Sequence, residues 1–190
     1  DGDGEPGGVG IVQFTTLNHQ PVPRTAVIGR VFASELTPGA DTGTNAFNRP
    51  LAGVTITVDG QEETLRAVTD AQGNFRLEPA PAGRFFVHVD GRTAPGSQWP
   101  NGDYYPFVGK AWEAVPGRAD NLAGGTGEIY LPLIKAGTLQ PVSETQPTAI
   151  TFVPEVVTSN PALAGVEIWV PAGALFDDNG ARGGRVGIAP

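Results

Sequence analysis

Asp1, Asp3 and Glu5 in the opening DGDGEPG place carboxylates at alternate positions, a spacing that suits the hard oxygen chemistry of Ca2+. Residues 7–10 add no carboxylate to complete a loop, so a solvated acidic leader is the favoured reading and calcium the alternative. Asp177, Asp178 and Asn179 before Gly180 also offer oxygens, and read more plainly as an Asp-Asn-Gly hairpin turn. Trp99, Tyr104, Tyr105, Phe107 and Trp112 crowd one segment. Aromatic platforms bind sugars by stacking, which makes Trp99, Tyr104, Tyr105 and Trp112 candidate glycan contacts, set against the commoner use of aromatics in core and edge packing. His88 is out of phase with Val87 and Val89 and is expected to face solvent or the opposite sheet face, while His19 lies in a linker. Two histidines so placed do not spell a metal site, and Asp70, Ser34 and the histidines have no spacing that makes a triad. No enzyme is expected, and no cofactor beyond that calcium alternative.

The elements that would carry these residues centre on Leu51 to Gly91. Val54, Ile56 and Val58 alternate with Thr55 and Thr57, the period-two pattern of a half-buried strand. Arg66 to Thr69 reads as a second strand, Asp70 to Asn74 as a turn, Phe75 and Leu77 as a third strand, and Phe85, Val87 and Val89 as a fourth. Ala26 to Phe32 precedes this block as a strand, and Ser34 to Pro50 reads as a long polar surface loop. After it, Tyr104 to Ala114 can hold a strand, and Glu128 to Lys135 closes the unit, with Pro132 confining it to an edge or a bulge.

Residues 137–147 read as a linker, followed by strands over Ala149 to Val157, Leu163 to Val170 and Arg185 to Ala189. No helix is expected beyond one turn near Ala172 to Phe176. Leu51 to Val58 (LAGVTITV) is echoed by Leu163 to Val170 (LAGVEIWV). That echo reads as two strands that follow the same Gly-containing turn, with a duplicated sandwich as the alternative.

The chain has 190 residues, 39% of them hydrophobic, with 27 Gly and 18 Pro. That richness in Gly and Pro lies just below the level at which disorder is the default, and the alternating apolar residues turn it into an all-β, turn-rich protein. A net charge of −8 and a pI near 4.6 argue against nucleic acid and anionic membrane as partners. Without Cys there is no disulfide framework and no thiolate metal site. Met is absent too, so a processed product, a fragment or one unit of a longer protein is expected. The scarcity of Cys, Met and Lys beside abundant Pro points to a hot or oxidising habitat, and so to a thermostable protein.

The pieces Ile28-Gly29-Arg30-Val31, Pro50 to Val58, Thr69 to Leu77 and Pro81 to Val89 resemble the carboxypeptidase regulatory-like domain. That family is a transthyretin-like, Cna-B-related β-sandwich. Val89 to Arg92, Tyr105-Pro106 and Ile129 to Leu133 look like the same module in large bacterial surface proteins, including those with teneurin-like or RHS repeats. Asn160 to Gly173 resembles the region that follows it there, or the opening of a ZU5-like β domain. The resemblance implies an extracellular or cell-surface, non-catalytic spacer, adhesion or assembly unit. Related Cna-B sandwiches often carry a Lys–Asn cross-link from the first strand to the last. Here the first strand has Arg30, and the only lysines are Lys110 and Lys135, so no cross-link is expected.

Three parts follow: a leader with a spare strand over 1–25, the β-sandwich over 26–136, and a smaller C-terminal β segment over 137–190. Three strands cannot close a sandwich alone, so Val153, Val156, Ile168, Val170, Leu175 and Ile188 need a cover. Val9, Ile11, Val12, Phe14 and Leu17 form a strand with no place in the sandwich. If that strand completes the C-terminal segment of the next copy, the contact is head-to-tail and builds a filament. The expected interface is therefore Val9, Ile11, Val12, Phe14 and Leu17 against Val153, Ile168, Val170 and Ile188, with copies of the chain as partners. The alternatives are a spacer in a longer surface protein, its missing strands lying past Pro190, and a carbohydrate-binding module.

Overall fold

A computed structural model of the chain describes residues 20–38, 46–122, 125–177 and 180–188. The expectations for the acidic leader, His19, the spare strand Val9 to Leu17, Asp178 and Asn179 fall outside those residues. The protein is all-β. Its strands are β1 (Pro21–Val22), β2 (Ala26–Pro38), β3 (Ala46–Pro50), β4 (Thr55–Val58), β5 (Arg66–Val68), β6 (Asn74–Leu77), β7 (Ala80–Pro81), β8 (Gly83–Asp90), β9 (Phe107–Ala114), β10 (Ala119–Asn121), β11 (Glu128–Leu131), β12 (Gln140–Pro141), β13 (Thr148–Thr151), β14 (Glu167–Val170) and β15 (Arg185–Val186).

Two sheets enclose one core. The first has the order β5-β4-β8-β9, every neighbour antiparallel. The second is built around β2, with β6 and β3 antiparallel along one side and β10 and β11 parallel along the other. Period-two alternation decides what faces inward. Ile56 and Val58 of β4, Phe75 and Leu77 of β6, and Phe85, Val87 and Val89 of β8 are buried, and the residues between them point away. They meet Val27, Val31 and Ala33 of β2 in a single cluster. As Pro132 requires, β11 lies at an edge, with β2 as its one ladder partner among the described residues.

Two side chains fix the Gly-containing turn before β4. Thr69 Oγ1, buried, donates to the Leu51 carbonyl at 2.7 Å and accepts the Val54 N–H at 2.9 Å. Thr93 Oγ1 donates to the Gly53 carbonyl at 2.8 Å and accepts the Thr55 N–H at 2.9 Å. Between them Gly53 adopts φ +73°. Thr69→Val removes one hydroxyl and strands a buried N–H and a buried C=O. It is expected to destabilise the fold by about 2–4 kcal/mol in urea unfolding, while Thr69→Ser costs less than about 1 kcal/mol.

Strands expected from Tyr104 and Leu163 begin only at Phe107 and Glu167, and three segments depart further from the sequence reading. Ser34 to Pro50 is not one loop: β2 runs on to Pro38 and pairs with β3. A register shift lies between Phe32 and Leu36, and there the Asn48 amide donates to the Ala33 and Ser34 carbonyls, each at 2.9 Å, so the irregularity keeps its hydrogen bonds. The strand expected to Val157 stops at Thr151, and a helix, α1 (Pro154–Ser159), follows. Pro154 at the first helical position starts it, where a missing N–H costs nothing. The linker over 137–147 carries β12, which pairs with β15.

Candidate functional site: an open strand edge and a histidine–carboxylate cluster

The C-terminal segment buries little. Val142, Ile150 and Phe152 are its buried large side chains, while Val153, Val156, Val170, Leu175 and Ile188 are half-buried. β13 and β14 pair antiparallel, Ile150 opposite Ile168 and Ala149 opposite Trp169, and among the described residues neither has a second ladder partner. Side chains alternate across a strand, so Ile168 and Trp169 lie on opposite faces of the ladder, and both are open: Ile168 is 46% and Trp169 63% exposed. The Trp169 indole N–H donates to Glu167 Oε1 at 2.7 Å.

The echo sharpens the contrast. Gly53 (φ +73°) and Gly165 (φ +83°) make the same left-handed turn, and a strand follows each. β4 lies between β5 and β8, and its Ile56 and Val58, with Val54 just before it, are wholly buried. β14 carries the matching Ile168 and Val170, with Val166 just before it, and has one partner among the described residues; Val166 and Ile168 are exposed. The repeat is a turn and a strand; among the described residues no second sandwich accompanies it.

A second feature lies on the outer face of the four-stranded sheet. The His88 ring packs edge-on against Phe86 and Phe107, with ring centroids 5.5 and 4.8 Å away. Arg92 lies over the Phe107 ring at 4.7 Å and the Trp99 ring at 5.5 Å, and pairs with both oxygens of Asp90 at 2.8 and 2.9 Å. Trp99 meets Tyr104 edge-on at 4.7 Å. At the other end of the row His88 Nε2 stands 3.7 Å from Asp59 Oδ1, and Glu62 joins them, one ligand atom from each lying within 4.8 Å of the others. Periodicity places His88 outward, but the cluster depends on the β4–β8 register, which the sequence did not reveal.

The candidate glycan contacts divide. Trp99 is 48% exposed and Tyr104 half-buried. Tyr105, 1% exposed, is a core residue whose hydroxyl hydrogen-bonds Glu35 and accepts from Arg49 at 2.8 Å, so it has no face for a sugar. Burial, then the Glu35 carboxylate, push that phenol up to about 12. Trp112 packs half-buried against the core with Val108. Asp177 fits the turn reading: its carboxylate accepts the Ala181 N–H at 2.8 Å.

Hydrogen bonds hold two further carboxyls below the usual carboxylate range: Asp70 by the Asn74 side chain and then its backbone N–H, Asp103 by the Lys135 ammonium and then the Ala136 N–H. A carboxyl lowered in the folded state contributes stability that is present above its unfolded value, about pH 4, and lost as pH falls through the folded value. Thermal melts are therefore expected to show the midpoint falling from about pH 4 downward, with a shallower fall in Asp70→Asn.

Among the described residues no helix is long and apolar enough to cross a membrane. No family model matches the chain, and no similar curated protein or solved structure was found.

Proposed function

We propose that this chain is a non-enzymatic structural protein of the cell surface or extracellular space, a subunit that joins copies of itself head to tail. In this reading Val9 to Leu17 of one copy add a strand to β14 of the next. The observation that carries it is the unequal pair of echoed strands: the turn-and-strand unit has two ladder neighbours as β4 and one as β14, where Val166, Ile168 and Trp169 are left exposed. An unpaired edge with exposed apolar side chains invites strand addition, because main-chain hydrogen bonds give affinity and alternate side chains give register. The donor has the composition the edge needs, with apolar residues for both faces. The sandwich over 26–136 is then the spacer between successive joints, in keeping with its resemblance to carboxypeptidase regulatory-like modules. The glycan reading retains only Trp99 and Tyr104 at the surface and stands behind assembly.

Electron microscopy of the purified chain, beside size-exclusion chromatography with light scattering, tests this. Filaments or concentration-dependent oligomers are the expected result. A monomer at every concentration overturns it and favours a spacer completed by further chain.

A further inference from the structure

We infer that Asp59, Glu62 and His88 form a binding site for a divalent first-row transition ion of the Zn2+ type. The backbone brings them together. Val58 of β4 pairs with Val87 of β8, and the Asp59 N–H extends that ladder by donating to the Phe86 carbonyl at 3.0 Å, so Asp59 is anchored beside β8. The chain then turns: Gln61 N–H donates to the Val58 carbonyl at 3.0 Å and Leu65 N–H to Gln61 at 2.9 Å. That turn returns Glu62 to the same side, where one carboxylate oxygen accepts the Gly60 N–H at 2.9 Å. The imidazole comes prepared, its side chain 16% exposed between Phe86 and Phe107, with Nε2 towards Asp59. Its cross-strand neighbour on β9 is Gly109, over which the Phe86 ring lies, so no side chain stands directly opposite it on that strand.

Ligand atoms around a tetrahedral ion with bonds of about 2.0–2.2 Å stand about 3.4 Å apart. The His88–Asp59 separation of 3.7 Å is close to that, and no pair in the cluster exceeds 4.8 Å. Both carboxylates are exposed, and rotation of the Glu62 side chain covers the remaining ångström. One imidazole nitrogen with two carboxylates is a borderline donor set: it suits Zn2+ and its neighbours, not the all-oxygen preference of Ca2+ and Mg2+. The two carboxylate charges balance a dication, and three protein ligands leave a coordination position open. A bound ion would tie the turn after β4 to β8, far in sequence and on the face away from the core.

The test is calorimetric titration of ZnCl2 into the full chain at neutral pH, with thermal melts alongside. One Zn2+ per chain is expected, with a raised melting midpoint and no competition from millimolar CaCl2. Loss of a fixed outer-shell partner costs a metal site about 10–100-fold, so removing a ligand in Asp59→Asn, Glu62→Gln or His88→Gln should weaken binding at least tenfold. His19→Gln should leave it unchanged. Should His88→Gln fail to fold, the exposed Asp59 and Glu62 variants decide. Absence of stoichiometric Zn2+ binding, binding indifferent to Asp59 and Glu62, or binding lost in His19→Gln overturns the assignment.

Discussion

A chain lacking residues 1–17 is expected to elute as a monomer at concentrations where the full chain assembles, with the melting midpoint of its sandwich unchanged. The core over 26–136 is closed by its own two sheets, so the truncation leaves Val27, Val31, Ile56, Phe75 and Val87 packed as before. What it removes, in the proposed assembly, is the segment that would pair with β14. Fully burying one large apolar side chain contributes about 1.5–3 kcal/mol, so in the proposed assembly Phe14 on one copy and the exposed 46% of Ile168 on the next contribute about 2–4 kcal/mol between them. At 1.4 kcal/mol per tenfold, their loss alone weakens association by about 25-fold or more. Ladder hydrogen bonds add to that. Assembly of the truncated chain at the same concentration as the full one would mean that another surface joins the copies. Light scattering on the two chains side by side makes the comparison.

Gly73→Ala is expected to be the most damaging small substitution in the sandwich. Gly73 adopts φ +77°, and a Cβ there would stand 2.4 Å from the Val31 carbonyl oxygen, on the strand at the centre of the second sheet. The approach is part of the fold, since the Val31 N–H donates to the Gly73 carbonyl at 2.9 Å. Nor can the turn shift freely: Asp70 Oδ1 accepts the Gln72 and Asn74 N–H groups at 2.9 and 2.8 Å. The left-handed conformation costs a non-glycine residue about 1–3 kcal/mol, and the clash with a fixed carbonyl adds to it. A loss of about 3 kcal/mol or more follows, or about 6–12 °C in Tm for a chain of this size. Gly60→Ala is the control. Its φ is +75° but nothing lies within 4 Å of the added carbon, so only the conformational cost remains. Equal destabilisation by the two variants in denaturant melts would show that the close approach to Val31 does not matter.

The strands that carry the core were legible because their side chains alternate. Thr55 to Val58, Phe75 to Leu77 and Phe85 to Val89 each have one buried face, and period two reports that directly. The turn at Asp70 to Asn74 was legible because Asp, Gly and Asn each have one local job there. Trp112 follows the commoner reading of core packing, and spacing supports it: it lies four residues from Val108, so the two share a face of β9, and that face packs on the core. Tyr105 gave no such sign, because it precedes β9, and it joins the core while its hydroxyl meets Arg49 and Glu35, far away in the chain. α1 was hidden by Val156, Val157 and Thr158, β-branched residues that read as strand, although Pro154 opens a helix well. The Asp59–Glu62–His88 cluster joins residues separated by 26–29 positions through the pairing of β4 with β8. Local pattern does not encode such a register, so two scattered histidines looked inert.

The account rests on a strand passing from one copy to the next, and the absence of native cysteine gives a direct way to see it. Two variants, Val12→Cys and Val166→Cys, would be prepared separately, mixed and oxidised. The account predicts a disulfide-linked pair containing one chain of each variant, formed in the mixture and dissolved by reductant. A mixture that stays uncross-linked, while a single chain carrying both substitutions closes on itself at high dilution, would contradict it, since the strand would then pair within its own chain.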